Sequence, residues 1–458
     1  MNFAQSAAIR FGFGPSPRQA SPAAAEDILA ALTGPDRLRA RFPIIAGQAA
    51  QQMVKDYLDL RRAYVKGRKP GALEAFRHHR QAVNRQIDLG LQMHMARAVE
   101  DSAGFRERLH LFWTDHFTVV GKKVQNYVLT LAQGEDAVRP HLAGRFSDML
   151  RAVTTHAAMI QYLDQSTSIG PDSPLARRRP DRHMGLNENL ARELMELHTL
   201  GVNGSYSQDD VRQLAELLTG LSYSSEKGAG FRPEIAEAGA ETVLGESYGG
   251  DGPARLGDIY AVLDDLARHP DTARHLAHKL AVHFVSDAPP ADLVAAMAAA
   301  YQAHDTALAP VYEVLLTHPA ALAALGDKVR QPLVYIPAAL RALGFDGAGV
   351  AAWEPGVHRK LVTTPLRGMG QFWLKPGGPD GWPEMAEAWI TPQSLSERLN
   401  WAISAPKQVL ESLPDPLAFA HATLGARATP ALLMAVPRAE SRAEAVGLVL
   451  AAPEFNRC

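Results

Sequence analysis

Apolar residues recur at helical spacing through most of the chain. Residues 24–32, 48–66 and 71–100 carry them at i, i+3, i+4 and i+7, which predicts amphipathic helices. Residues 105–119 predict an aromatic-rich helix, and 137–163 two more. Residues 187–200 and 208–218 predict a helical pair, and the same texture returns at 256–268, 272–284, 291–303 and 308–316. It continues at 330–343, at 393–404 and in short helices to residue 450. Alternating, strand-like segments are scarce, with 231–235 and 241–244 the best of them. The expected fold is all-α, one large irregular helical domain over 1–458, with at most a small β-excursion at 222–255.

Three segments break the pattern. Residues 165–186 form a loop carrying Arg177, Arg178, Arg179 and Arg182; residues 222–255 are rich in Gly, Ser and Glu. Residues 344–391 form a Gly/Pro/Trp loop too long for a simple connector, and long loops on a helical scaffold are where binding chemistry concentrates. Turn chemistry marks the boundaries. Gly201 supplies a C-terminal stop, Asn203-Gly204 a turn, and Ser207 with Asp210 a capping pair for the next helix.

Composition narrows the function classes. With 47 Lys and Arg against 49 Asp and Glu, the chain lacks the basic excess of a general nucleic-acid binder. The single cysteine, Cys458, cannot build an internal disulfide or a thiolate metal cage. No apolar run is long enough to span a bilayer and no export signal opens the sequence, so the expectation is a cytoplasmic protein. Phosphate-binding loops, G-x-S-x-G elbows, C-x-x-C and H-E-x-x-H are all absent, which excludes several enzyme classes in their usual form.

The most informative stretch runs Asn187-Glu188-Asn189-Leu190-Ala191-Arg192-Glu193-Leu194-Met195-Glu196-Leu197-His198-Thr199-Leu200-Gly201. On a helix, Leu190, Leu194 and Leu197 make the buried stripe, Glu188, Arg192 and Thr199 share the opposite side, and Asn189, Glu193 and Glu196 lie between. The bland reading is a Glu188–Arg192 ion pair with solvated neighbours. The sharper one is a set of acid/base groups or ligands facing a cleft.

This stretch resembles the hallmark of the family named domain of unknown function 1800. Arg10-Phe11-Gly12-Phe13-Gly14-Pro15, Phe112 to Phe117 with Trp113 and His116, and Leu163-Asp164 agree with other family segments. So do His269 to Arg274, Lys279-Leu280, His283-Phe284-Val285, Pro379-Asp380-Gly381-Trp382-Pro383 and Ala452 to Phe455. One departure is Ala236-Glu237, where many relatives carry a histidine followed by a carboxylate. The resemblance implies a large helical domain, frequent export among relatives, and a sulfatase-like partner protein, but no reaction.

Candidate chemistry comes from the polar groups inside these motifs. The leading expectation is a hydrolase acting on a glycan or ester, with Glu188, Glu193, Arg192 and Asp164 as catalytic groups. Asn189, His116, Trp113, Lys279, His283 and Trp382 would contact substrate. Trp373, Trp382 and Trp389 form either a stacking platform or pins for the long loop. His198 reads as a cationic helix cap. His275 and His278 are spaced for a shared ion, but Lys279 beside them opposes a cation, so no metal ligands are assigned and the cofactor is left open. The alternatives are a non-catalytic assembly partner of a sulfatase-like protein and an oxidoreductase bearing a metal or cofactor.

Overall fold

The computed structural model describes residues 2–67, 71–181, 185–323 and 325–458; Arg182 of the arginine-rich loop lies outside these. The fold is all-α with two small two-stranded sheets. Period-3.6 patterning placed most helices closely: Leu256–Arg268 and Ala291–Ala303 match their predicted bounds, and Pro270–Phe284 begins on its proline. No described helix is long and apolar enough to cross a membrane.

The longest helix, Ala72–Glu100, joins two hydrophobic cores. Its Val83 belongs to the first, with Phe105, Leu109, Trp113, Phe117, Leu190, Leu194, Leu280, Phe284 and Tyr312. Its Leu91, Met95, Ala96 and Val99 belong to the second, with Tyr335, Ile336, Leu361, Trp401, Val446 and Phe455. The aromatic helix Phe105–His116 fills the first core: Trp113 is fully buried and its indole N–H donates to Tyr312 Oη at 2.7 Å. Burying such rings contributes roughly 2–3 kcal/mol each.

Three local expectations need correction. The signature segment is a short α-helix, Asn189–Glu193, continued by a π-helical turn, Leu194–His198. A π-turn adds a residue and rotates the side chains beyond it, so Met195 and His198 are buried while Leu197 is only half-buried. Gly201 does end the segment, at φ 87°. In the β-excursion, β1 (Leu221–Ser224) pairs antiparallel with β2 (Gly228–Phe231), and β3 (Gly239–Val243) with β4 (Glu246–Gly250). Predicted strand 231–235 fails because Pro233 opens a 3-10 turn, Pro233–Ile235, whereas 241–244 overlaps β3.

The third correction is the long loop. Its first half is helical: Gly347–Ala351, Pro355–His358, a π-turn at Arg359–Thr363 and Thr364–Gly368. Leu361, Val362 and Leu366 hold it to the second core. Trp389 pins the remainder, buried with its N–H on the Pro383 carbonyl at 2.8 Å.

Candidate active site

Along the signature helix, Arg192 is held between Glu188 and Glu196, at 3.1 Å from each, and Gln208 bonds both Arg192 and Glu188. These are partly exposed i,i+4 pairs, the bland arrangement that the sequence allows. Asn189 is exposed. Glu193 differs: it makes no ion pair among the described residues, and burial, Glu196 and Asp380 push its carboxyl up to about 7. Asp164 sits apart, half-exposed at φ 55° and paired with Lys122 at 2.6 Å. Arg177, Arg178 and Arg179 are exposed, but the segment expected as a loop holds a short α-helix, Pro174–Arg178, capped by Ser173 and started on its proline.

The histidines of the motifs are mostly core groups. His116 Nε2 meets the His198 carbonyl at 3.2 Å, and burial holds its imidazole well below the ordinary range, hence neutral. His198 is likewise buried and lowered to about 3, so it is not the cationic cap that its position suggested. His275 Nε2 lies 3.1 Å from the Leu197 carbonyl, while His278 is exposed.

A second polar convergence, away from the signature helix, forms where the aromatic helix ends against the last part of the long loop. Both oxygens of Asp115 accept the backbone N–H of Trp382, at 3.0 and 3.1 Å. Gly381 makes that approach possible. It adopts φ 87°, and a Cβ there would lie 2.7 Å from Asp115 Oδ2. Burial, and then Glu384, push the Asp115 carboxyl up to about 8, opposed in part by the Trp382 N–H and by Lys279. Burial lowers the Lys279 ammonium in turn, against the attraction of Asp115, Glu384 and Asp380. Lys279 forms no ion pair among the described residues.

Behind this pair, Glu384 accepts from His283 Nδ1 at 2.6 Å and faces Lys328 at 3.0 Å, while Lys328 also bonds Asp287 at 2.7 Å. Burial would raise Glu384, but His283 and Lys328 outweigh it and hold the carboxyl far below the usual range. Further back lies the buried thiol of Cys458. Burial raises it, yet Arg108, Arg330, Arg10 and Lys328 outweigh that and lower it.

Asp115, His283 and Trp382 line one wall of a cavity of about 100 Å³, and Trp373, His94 and His110 line another part of it. Lys279, Asp380 and Glu193 do not line it. Of the sequence-derived candidates, the structure gathers Lys279, His283, Trp382 and, through Asp380, Glu193. It leaves Glu188 and Arg192 on the surface rail, Asp164 on Lys122, and Trp113 and His116 in the core. Asp115, Asp380, Glu384 and Lys328 were not expected as site residues. The available signals were the carboxylate before His116 and the acidic residues bracketing Gly381-Trp382-Pro383.

His94, Glu107 and His110 each offer a ligand atom within 4.8 Å of the others, all buried, and His94 and His110 also line the cavity.

No curated protein and no solved structure matches the chain. A family model described as "Protein of unknown function (DUF1800)" matches residues 6–457, nearly the whole length. The chain belongs to the DUF1800 family.

Proposed function

We propose that the protein is an acid–base enzyme, a hydrolase of a polar substrate such as a glycan or ester, with Asp115 as its proton donor. The observation that carries this reading is the placement of Asp115. Its carboxyl is oriented by the Trp382 N–H at the wall of a cavity and kept protonated at neutral pH by burial and by Glu384. A general acid works best when its pKa lies near the operating pH, and an ordinary exposed aspartate does not meet that condition. Lys279 would hold charge that develops as the proton leaves. Glu193, raised to about 7 by burial, Glu196 and Asp380, is a second elevated carboxyl, outside the cavity lining. Trp373 and Trp382 give the cavity aromatic surface suited to sugar or acyl faces.

The test is a panel of chromogenic glycosides and esters, assayed with the parent and with Asp115→Asn. The reading requires turnover by the parent that falls by at least 100-fold in the variant, while a panel cleaved equally by both would defeat it.

A second reading, an assembly partner of a sulfatase-like protein, draws support from one surface. Leu395, Leu399 and Ile403 are exposed at i, i+4 and i+8 on helix Pro392–Ser404, an apolar stripe suited to another chain. Co-purification with such a protein that is lost on substituting these three residues would favour it.

A further inference from the structure

We propose that His94, Glu107 and His110 form a binding site for one divalent transition-metal ion of the zinc or iron(II) class. Glu107 and His110 are one turn apart on helix Phe105–His116, a spacing that sets both side chains on one face, and His94 comes from the long helix Ala72–Glu100. Two imidazoles and one carboxylate are the donor set that such ions take with coordination positions left open.

Two details point to a ligand. His94 Nε2 and His110 Nδ1 are buried and have no hydrogen-bond partner among the described residues, which is costly for a polar atom unless something binds it. His110 Nε2 lies 3.1 Å from the Gly134 carbonyl. That contact fixes the proton on Nε2 and leaves the Nδ1 lone pair free, as in metal-bound histidines held by an outer carbonyl.

The buried charges beside the triad pair off, Glu107 with Arg139 and Glu135 with Arg97. Arg139 grips Glu107 with two bonds, at 3.0 and 2.6 Å, and Arg97 grips Glu135 with two, at 2.5 and 3.1 Å. Each carboxylate oxygen keeps a second lone pair, so these forks orient Glu107 without using up its donor capacity. The directly bridged charges are Asp36, Glu107, Glu135 and Asp136 against Arg39, Arg97 and Arg139, leaving one negative charge over. His94 and His110 also line the cavity that Asp115 lines, so an ion there would have access to whatever the cavity admits.

The site does not depend on the role given to Asp115, and the experiment separates the two. Full-length protein stripped with a chelator is titrated with cobalt(II), monitored by its visible absorption, and then with zinc(II) in competition. The expected result is one equivalent bound by the parent and by Asp115→Asn, with at least tenfold weaker binding in His94→Ala and His110→Ala. Far-ultraviolet circular dichroism of the metal-free variants checks that they fold. Should either variant fail to fold, X-ray absorption of the cobalt-loaded parent must show two imidazole nitrogens in the coordination shell. A parent that binds no cobalt or zinc, histidine variants that bind like the parent, or a shell without imidazole would each overturn the proposal.

Discussion

Asp115 and Trp382, 267 positions apart in the chain, meet through a single backbone N–H that both carboxylate oxygens accept, at 3.0 and 3.1 Å. The contact ties the end of the aromatic helix to the loop that closes over it. It also holds a carboxyl whose proton is retained at neutral pH.

That retention has a consequence for stability. Between about pH 4 and pH 8 the folded chain holds the Asp115 proton and the unfolded chain does not, so the unfolded state binds fewer protons and stability falls as pH rises through that window. Asp115→Asn removes this slope while its amide oxygen can still accept from Trp382. Urea denaturation at pH 5 and pH 8 is expected to show the variant gaining stability relative to the parent at the higher pH. A difference between the two proteins that is independent of pH would contradict the assignment.

Gly381 is the residue that lets the loop reach Asp115. Gly381→Ala places a Cβ in a left-handed conformation and against the Asp115 carboxylate, 2.7 Å from Oδ2. The backbone strain alone costs about 1–2 kcal/mol. Thermal denaturation should show at least that loss, and turnover should fall with it because the Trp382 N–H is displaced. An unchanged melting temperature would mean that the loop tolerates a side chain there.

How much of the molecule was legible beforehand depends on the kind of signal. Helices such as Leu256–Arg268 were readable because their apolar spacing is set locally. The π-turns at Leu194–His198 and Arg359–Thr363 were not, since an extra residue in the turn leaves composition unchanged. Short helices inside 344–391 were masked by their Pro and Gly punctuation. The acidic residues of the signature helix were visible, but their roles diverge with burial: Arg192 holds Glu188, while Glu193 is left beside Asp380. Asp115 and Glu384 acquire unusual behaviour only when residues 115, 279, 283 and 380–384 come together, and no local pattern encodes that meeting.

Glu384 joins His283 and Lys328 at the back of the site. Its depressed carboxyl contributes stability that is present above the unfolded value of about 4.5 and lost as pH falls toward the folded one. Glu384→Gln leaves Lys328 charge-paired only with Asp287 and turns the charge-assisted bond from His283 into a neutral one, so a loss of about 3 kcal/mol is expected at pH 7, shrinking in acid. Guanidinium melts at pH 7 and pH 4 decide the matter: an equal loss at both would remove the charge pairing as its cause.

The rail formed by Glu188, Arg192 and Glu196 is partly exposed, with side-chain accessibilities of 35%, 40% and 28%. Solvent screening reduces such pairs to about 0.3–0.5 kcal/mol each. A double-mutant cycle with Glu188→Gln and Arg192→Met should return a coupling in that range that fades in 1 M salt. A coupling above about 2 kcal/mol would show a buried, functional pair instead.

The protonation of Asp115 at neutral pH is the point on which the catalytic reading turns, and infrared spectroscopy observes it directly. Difference spectra between the parent and Asp115→Asn, recorded from pH 5 to pH 10 with aspartate isotope labelling, isolate the protonated carboxyl stretch of this one residue. The account predicts a band present at pH 6 to 7 that disappears with a midpoint near 8. A carboxyl already ionised at pH 6 would contradict it.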